Sequence, residues 1–257
     1  MDTTEIEELT TRNAIDQVYR HPHQHISPFS FDKTVAQVFP DMIQRSVPGY
    51  QALLELIGSL GKKVIRPNTR VYDLGCSHGA VTYQLSHTIQ QDPRLTNVKF
   101  IAIDNAPAMI EQAKAKLGTL NNFANIQLQQ DDIRHIRYEN ASLAILNYCL
   151  QFLPIEDRTE CLERIYQGLL PGGLLLLSEK TRQLDENEHR WFTETHEQYK
   201  SHQGYSALEI SQKRQALESV LKIETLAQHT ERLKAVGFRS VHVFFQCLQF
   251  VGIAAEK

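Results

Sequence analysis

The chain has 257 residues, a formal net charge of -3, 42% hydrophobic and 22% charged residues. That length and balance suit one globular domain with a sizeable core. The mild acidity speaks against broad non-specific nucleic-acid binding, which needs a basic face. Cys76, Cys149, Cys161 and Cys247 form no Cys-x-x-Cys pair, so neither a disulfide framework nor a zinc site is expected. Met1–Thr10 has no apolar run suited to a signal peptide, and no apolar stretch reaches the length of a membrane span. The expected location is the cytoplasm.

Residues 1–30 read as a peripheral, solvated arm. It ends in His21-Pro22-His23-Gln24-His25, but no acidic or cysteine ligand stands near these histidines, so no metal is expected. Residues 31–257 read as one domain. Val35, Val38, Phe39, Leu53, Leu54, Ile57 and Leu60 recur at helical steps, punctuated by Pro40 and Pro48-Gly49.

Strands and helices then alternate. Val71–Leu74 reads as a strand ending at Gly75, and His78–Ile89 as a helix. Val98–Ile103 is a strand, and Ala106–Leu117 a helix with Asn105 as N-cap and Pro107 in its first turn. Ile126–Gln130 and Leu143–Tyr148 are strands; Glu156–Leu169 is a helix stopped by Pro171-Gly172-Gly173, before a strand at Leu174–Ser178. Residues 181–222 are polar and helical, an insertion expected to cap the sheet. Thr225–Val236 is a helix closed by Gly237, and Ser240–Gln246 with Leu248–Ala254 form an antiparallel hairpin. Short apolar strands between helices predict an α/β fold: a mostly parallel seven-stranded sheet with helices on both faces. That layout resembles the Rossmann-like class I methyltransferase fold.

Polar residues stand at successive strand ends, where such folds bind ligands. In Asp73-Leu74-Gly75-Cys76-Ser77-His78-Gly79, the glycines permit close approach to backbone, and Ser77 replaces the second glycine of a dinucleotide pattern. The Asp73 charge repels phosphate and suits a cation such as a sulfonium. Asp104 lies 29 residues after Gly75, where a carboxylate accepts from both ribose hydroxyls, with Asn105 beside it. Asp132 suits an adenine amino group, Ile133 the ring face, and Asn147 the methionine half of a ligand. Asp73-x-Gly75-Cys76-Ser77 resembles the first motif of S-adenosylmethionine-dependent methyltransferases.

A narrower resemblance rests on longer segments. Val38–Tyr50, Ile103-Asp104-Asn105, Leu150–Leu153, Gly204–Arg214 and Phe244–Cys247 resemble the carboxy-S-adenosylmethionine synthases, over about Phe31 to the C-terminus. The resemblance implies conversion of S-adenosylmethionine and prephenate to carboxy-S-adenosylmethionine and phenylpyruvate. The product would feed a tRNA carboxymethyltransferase that acts on a wobble uridine. The resemblance also implies that Tyr50, Gly75, Cys76, Ser77, Asp104, Asn105, Asp132, Ile133 and Asn147 bind S-adenosylmethionine or its carboxylated product. Arg214 would hold the new carboxylate from across a homodimer. The arm before Phe31, extra residues around Gln90–Leu95, and Thr181–Gln183 and Ser201–Gln203 in the cap depart from the family pattern.

The chemistry agrees with the resemblance. Deprotonating a sulfonium methyl gives an ylide that captures carbon dioxide, and prephenate releases carbon dioxide and hydroxide as it aromatises. Such a site needs proximity, exclusion of water and cations for carboxylates. Arg214 is the first candidate anchor, with Arg45 and Lys180 behind it; a salt bridge is an equal reading of Arg45. An apolar stripe of Ile210, Leu217 and Leu221 is expected to face a second subunit. Two alternatives stay open: an ordinary methyltransferase acting on tRNA or a small molecule, and a non-enzymatic binding scaffold. Arg214 discriminates, because a plain methyl donor has no carboxylate to pair.

Overall fold

The computed structural model describes residues 14–90, 92–121 and 123–257. The first part of the expected arm therefore lies outside the described residues. Two helices open the domain, α1 (Lys33–Ser46) and α2 (Tyr50–Val64). Asp32 caps α1 by accepting from the Val35 N–H at 2.9 Å, which satisfies one of the orphan donors of a helix start. Pro40 lies inside α1 rather than ending it.

The alternating segment follows as β1 (Arg70–Leu74), α3 (Ala80–Ile89), β2 (Lys99–Asp104), α4 (Pro107–Leu117), β3 (Ile126–Gln130) and β4 (Ala141–Asn147). It continues as α5 (Ile155–Gly168) and β5 (Leu169–Lys180). The cap consists of α6 (Glu186–His202) and α7 (Ala207–Glu218), and the chain ends with α8 (Leu226–Val236), β6 (Ser240–Cys247) and β7 (Phe250–Glu256). The seven strands run in the order β3-β2-β1-β4-β5-β7-β6. The pairings from β3 through β5 are parallel, and β7 runs antiparallel to both β5 and β6. Strand order reverses between β1 and β4, so a crevice opens beyond their carboxyl ends.

Apolar strands need cover on both faces. One face packs α2, α3 and α4 through Leu53, Ile57, Leu85 and Leu117. The other packs α5 and α8 through Leu162, Ile165 and Leu233. Leu53, Ile57, Leu85, Leu143 and Ile145 are fully buried, each worth about 1.5–3 kcal/mol of transfer free energy.

Several local expectations are corrected. The helix after β1 starts at Ala80, not His78, because Ser77 and Gly79 both take positive φ and turn the chain first. Asn105 is not the N-cap of α4; Ala106 is, and the Asp104 side chain accepts the Ala106 N–H at 2.9 Å. Pro171-Gly172-Gly173 does not separate α5 from the next strand. α5 ends at Gly168, where an added Cβ would collide with Tyr138, and β5 runs through these residues with a register shift.

The segment before Phe31 is not a free arm from Ala14 onward. Asp16 is buried, and its carboxylate accepts from the Tyr205 hydroxyl at 2.6 Å. Gln212 on α7 donates to the carbonyls of Tyr19 and His21 and accepts from the His23 N–H. Phe29 and Phe31 pack with Phe39 and Met42 of α1 and Met109 of α4. The segment thus straps α7 to α1.

Candidate active site

The crevice at the strand-order reversal is a cavity of about 400 Å³. Its lining contains all ten residues expected at the site: Tyr50, Gly75, Cys76, Ser77, Asp104, Asn105, Asp132, Ile133, Asn147 and Arg214. They come from the turns after β1 and β3, the ends of β2 and β4, α2 and α7, elements far apart in sequence.

The turn after β1 leaves no room for a side chain at Gly75. Its φ is +70°, and an added Cβ would run into the Cys149 sulfur. Asp73 is buried beside it and accepts from the Thr82 N–H at 3.0 Å and the Thr82 hydroxyl at 2.6 Å. Burial, together with the charge of Asp104, pushes the Asp73 carboxyl up to about 6 despite those donors. Asp104 Oδ2 accepts the Ser77 N–H at 2.8 Å and Oδ1 the Ala106 N–H at 2.9 Å. Each oxygen keeps a lone pair for a ligand hydroxyl. Burial raises this carboxyl too, opposed by the same two N–H donors.

Asp132 is less free than its sequence position suggests. Its carboxylate receives the Arg134 backbone N–H and guanidinium, the closest contact at 2.6 Å, and Arg134 also pairs with Asp157. Those bonds hold the Asp132 carboxyl below its ordinary range. Asn147 closes β4 with its buried Oδ1 lacking any hydrogen-bond partner among the described residues. His78, absent from the sequence reading as a site residue, also lines the cavity. Burial lowers its ring to about 3, so the imidazole is neutral, and its Nδ1 has no partner among the described residues. Burial raises the Cys76 and Cys149 thiols well above their usual range, so neither stands as a thiolate nucleophile at neutral pH.

The cap supplies the opposite wall. Lys180 at the end of β5, His196, Glu197 and Lys200 on α6, and Lys213 and Arg214 on α7 all line the cavity. Burial, reinforced by the Lys200 charge, holds the Lys180 ammonium down to about 8. Burial does the same for Lys213, against the pull of Asp16. His196 is held near 3 by burial, and its Nε2 lies 2.8 Å from the Ser46 carbonyl, an acceptor, so this nitrogen carries the proton. Arg214 is 65% exposed and donates to Glu197 at 2.8 Å.

Arg45 is not among the cavity-lining residues. It bonds Asp41, the Asp16 carbonyl and the Gln203 carbonyl, and lies 4.1 Å from the Tyr205 ring centroid. Its salt-bridge reading is the correct one. The stripe expected to seek a partner also turns inward: Ile210 is buried, and Leu217 and Leu221 line the cavity. The exposed apolar residues of the cap region are Leu184, Trp191 and Leu208 instead. Lys200, Lys213, His196 and the aromatic pair Phe29 and Phe31 were missed by sequence reasoning. The cap read as polar apart from the stripe assigned to a partner, and nothing local marks which polar face turns inward.

A family described as a methyltransferase domain matches residues 65–229. The chain is 47% identical over 242 residues to the carboxy-S-adenosyl-L-methionine synthase of Actinobacillus succinogenes, covering 94% of this chain and 99% of that one. It is 46% identical to the synthase of the same name from Mannheimia succiniciproducens, again over 94% and 99% of the two chains. Among solved structures, human N-acetylserotonin methyltransferase in complex with SAM superposes with a TM-score of 0.60 at 18% identity, covering 99% of this chain and 66% of that one. That likeness concerns the class I methyltransferase fold alone.

Proposed function

The chain belongs to the carboxy-S-adenosyl-L-methionine synthase family, and on that premise we propose that it converts S-adenosylmethionine and prephenate to carboxy-S-adenosylmethionine and phenylpyruvate. It is an S-adenosylmethionine-dependent transferase. The observation that carries the finer reading is one cavity with two electrically opposite walls. Asp73, Asp104 and Asp132 stand at the strand ends, and Lys180, Lys200, Lys213 and Arg214 stand on the cap side. Donating a methyl group requires only the first wall; a carboxyl donor and a carboxylated product require the second.

The residues fit S-adenosylmethionine as substrate. Asp104 presents one free lone pair per oxygen for a ribose diol. Asn147 has an orphaned buried Oδ1 for the methionine ammonium. Asp73 puts a carboxyl near the sulfonium, and the Gly75 turn admits the ligand against backbone. Ile133 packs on the adenine, with Asp132 directed by Arg134.

The reaction balances without a protein nucleophile. Prephenate loses its ring carboxylate as carbon dioxide, and the electron pair of the broken C–C bond aromatises the ring and expels the ring hydroxyl as hydroxide. Hydroxide takes one proton from the sulfonium methyl and becomes water. The carbon so exposed bonds carbon dioxide, giving one new C–C bond and a carboxylate. The chain's contribution is to hold both substrates in contact, keep bulk water out, and pair anions with cations. Arg214 suits the new carboxylate because its planar fork matches two oxygens.

The enzyme acts as a homodimer in which Arg214 of one subunit serves the other; its 65% exposure and the exposed Leu184 and Trp191 support that arrangement. The product then serves a tRNA carboxymethyltransferase at a wobble uridine. Phenylpyruvate release from prephenate, followed by absorbance, tests the activity. Release that depends on added S-adenosylmethionine is expected. Methyl transfer to tRNA with prephenate left intact would refute it.

A further inference from the structure

The cap wall carries more positive charge than its own acids balance. Lys180, Lys200, Lys213 and Arg214 line it, and the acids beside them are Glu197 and Asp16. Glu197 is taken by Arg214 at 2.8 Å. Lys213 lies 3.7 Å from Asp16 and donates to the Ser46 hydroxyl at 3.0 Å. The ammonium groups of Lys180 and Lys200 make no direct hydrogen bond or ion pair among the described residues, although both residues are partly buried and both feel the charge of Glu197. An ammonium withdrawn from water without a partner is costly, and like charges gathered together add to the cost. The electrostatics register this: burial first, then the neighbouring Lys200, holds the Lys180 ammonium below its ordinary range. Lys200 is lowered by burial too, with Arg214 adding to it and Glu197 opposing it.

A cation cluster kept dry and unpaired at a cavity is relieved by an anion. Ring side chains share the cavity with these cations: Phe250 lines it in T-shaped contact with Tyr148 and His196, at ring-centroid distances of 5.8 and 5.0 Å. An unsaturated ring carrying two carboxylates matches that combination of aromatic and basic lining. The cofactor's own carboxylate accounts for at most one cation, and Arg214 already has a role toward the product.

We propose that Lys180, Lys200 and Lys213 form the subsite for the carboxyl-donating co-substrate, an organic dianion whose two carboxylates pair with these ammonium groups. The subsite rests on the synthase reading and deepens it by assigning the second substrate to residues of β5, α6 and α7. Lys213 has a further consequence. It also touches Asp16 of the N-terminal strap, so it joins the dianion subsite to the segment that places Phe29 and Phe31 in the cavity.

The test uses the full-length enzyme with Lys180→Gln and Lys200→Gln, whose side chains have no partner to orphan. KM for prephenate, kcat, and S-adenosylmethionine affinity by calorimetry are measured on each. Losing one charge-assisted bond corresponds to a rise in prephenate KM of about tenfold or more. S-adenosylmethionine affinity and the thermal melting temperature should stay at wild-type values, which a merely structural lysine would not permit. Lys180→Arg, which keeps the charge, should recover part of the lost KM. A wild-type enzyme that consumes prephenate while both Gln variants keep their KM would overturn the subsite and leave the synthase reading intact. Equal loss of affinity for both substrates would assign the lysines to the cofactor and also overturn it. A wild-type enzyme that neither binds nor consumes prephenate would overturn both readings.

Discussion

Asp104, at the end of β2, is the proposed acceptor of the ribose hydroxyls. Two backbone N–H groups fix its carboxylate, so its free lone pairs are oriented before any ligand arrives. Replacing it with Ala removes a charged acceptor from a buried position, a loss of about 1.5–3 kcal/mol in binding. Asp104→Ala should therefore weaken S-adenosylmethionine binding about 10- to 100-fold in calorimetry, whereas an unchanged affinity would place the ribose elsewhere. The position of Asp104 at a strand end on the cavity was legible in the sequence because strand, acidic residue and spacing are all local features. Asp132 was legible only in part. Its position after β3 is readable, but its pairing with Arg134 and Asp157 is a tertiary fact. Lys200 and Lys213 were not legible at all, since a lysine on a polar helix reads the same whether it faces solvent or a cavity.

Among the elements, α5 does more than cover the sheet. Arg158 on α5 is fully buried; it pairs with Glu224 and donates to the carbonyls of Gln151, Leu153 and Lys222. It therefore ties the turn that follows β4, which lines the cavity through Gln151 and Phe152, to the chain leaving the cap. Glu224 has a second partner in Arg232, which contacts it at 2.6 Å. Arg158→Met removes the donor to three carbonyls and one of the two cations that compensate a buried carboxylate. The cost expected is about 3–5 kcal/mol, read as a lower urea midpoint with an unchanged slope. A loss under about 1 kcal/mol would show that Arg232 alone satisfies Glu224. β1, β2 and β4 were readable because each is a short apolar run between turn signals, and β6 with β7 because two such runs are closely joined; the early start of β5 was not, because Pro171-Gly172-Gly173 reads as a break. The strap from Ala14 to Phe29 was not. Its anchors, such as Gln212 with Tyr19 and His21, are polar contacts between residues nearly two hundred positions apart, and polar composition alone reads as a free arm.

At the scale of the molecule, one cavity is lined by acids from β1, β2 and the turn after β3 and by bases from the end of β5 and the cap helices; the proposed reading gives the acids to a cationic substrate and the bases to an anionic one. No helix among the described residues is long and apolar enough to cross a membrane. Arg214 lies at the rim of its own chain's cavity yet is largely exposed, so subunit mixing decides whether it acts within or between chains. An Arg214→Ala chain mixed with an Asp104→Ala chain should regain activity, because one hybrid pocket holds both groups. No regain, with each variant inactive alone, would place Arg214 in its own pocket. Carboxyl transfer itself is followed most directly by mass spectrometry of the sulfonium product, after incubation with S-adenosylmethionine and prephenate labelled with carbon-13 at its ring carboxylate. The expected product is heavier than S-adenosylmethionine by one carboxyl group and carries the label in that group. An unlabelled carboxylated product, or S-adenosylmethionine recovered unchanged beside consumed prephenate, would contradict that transfer.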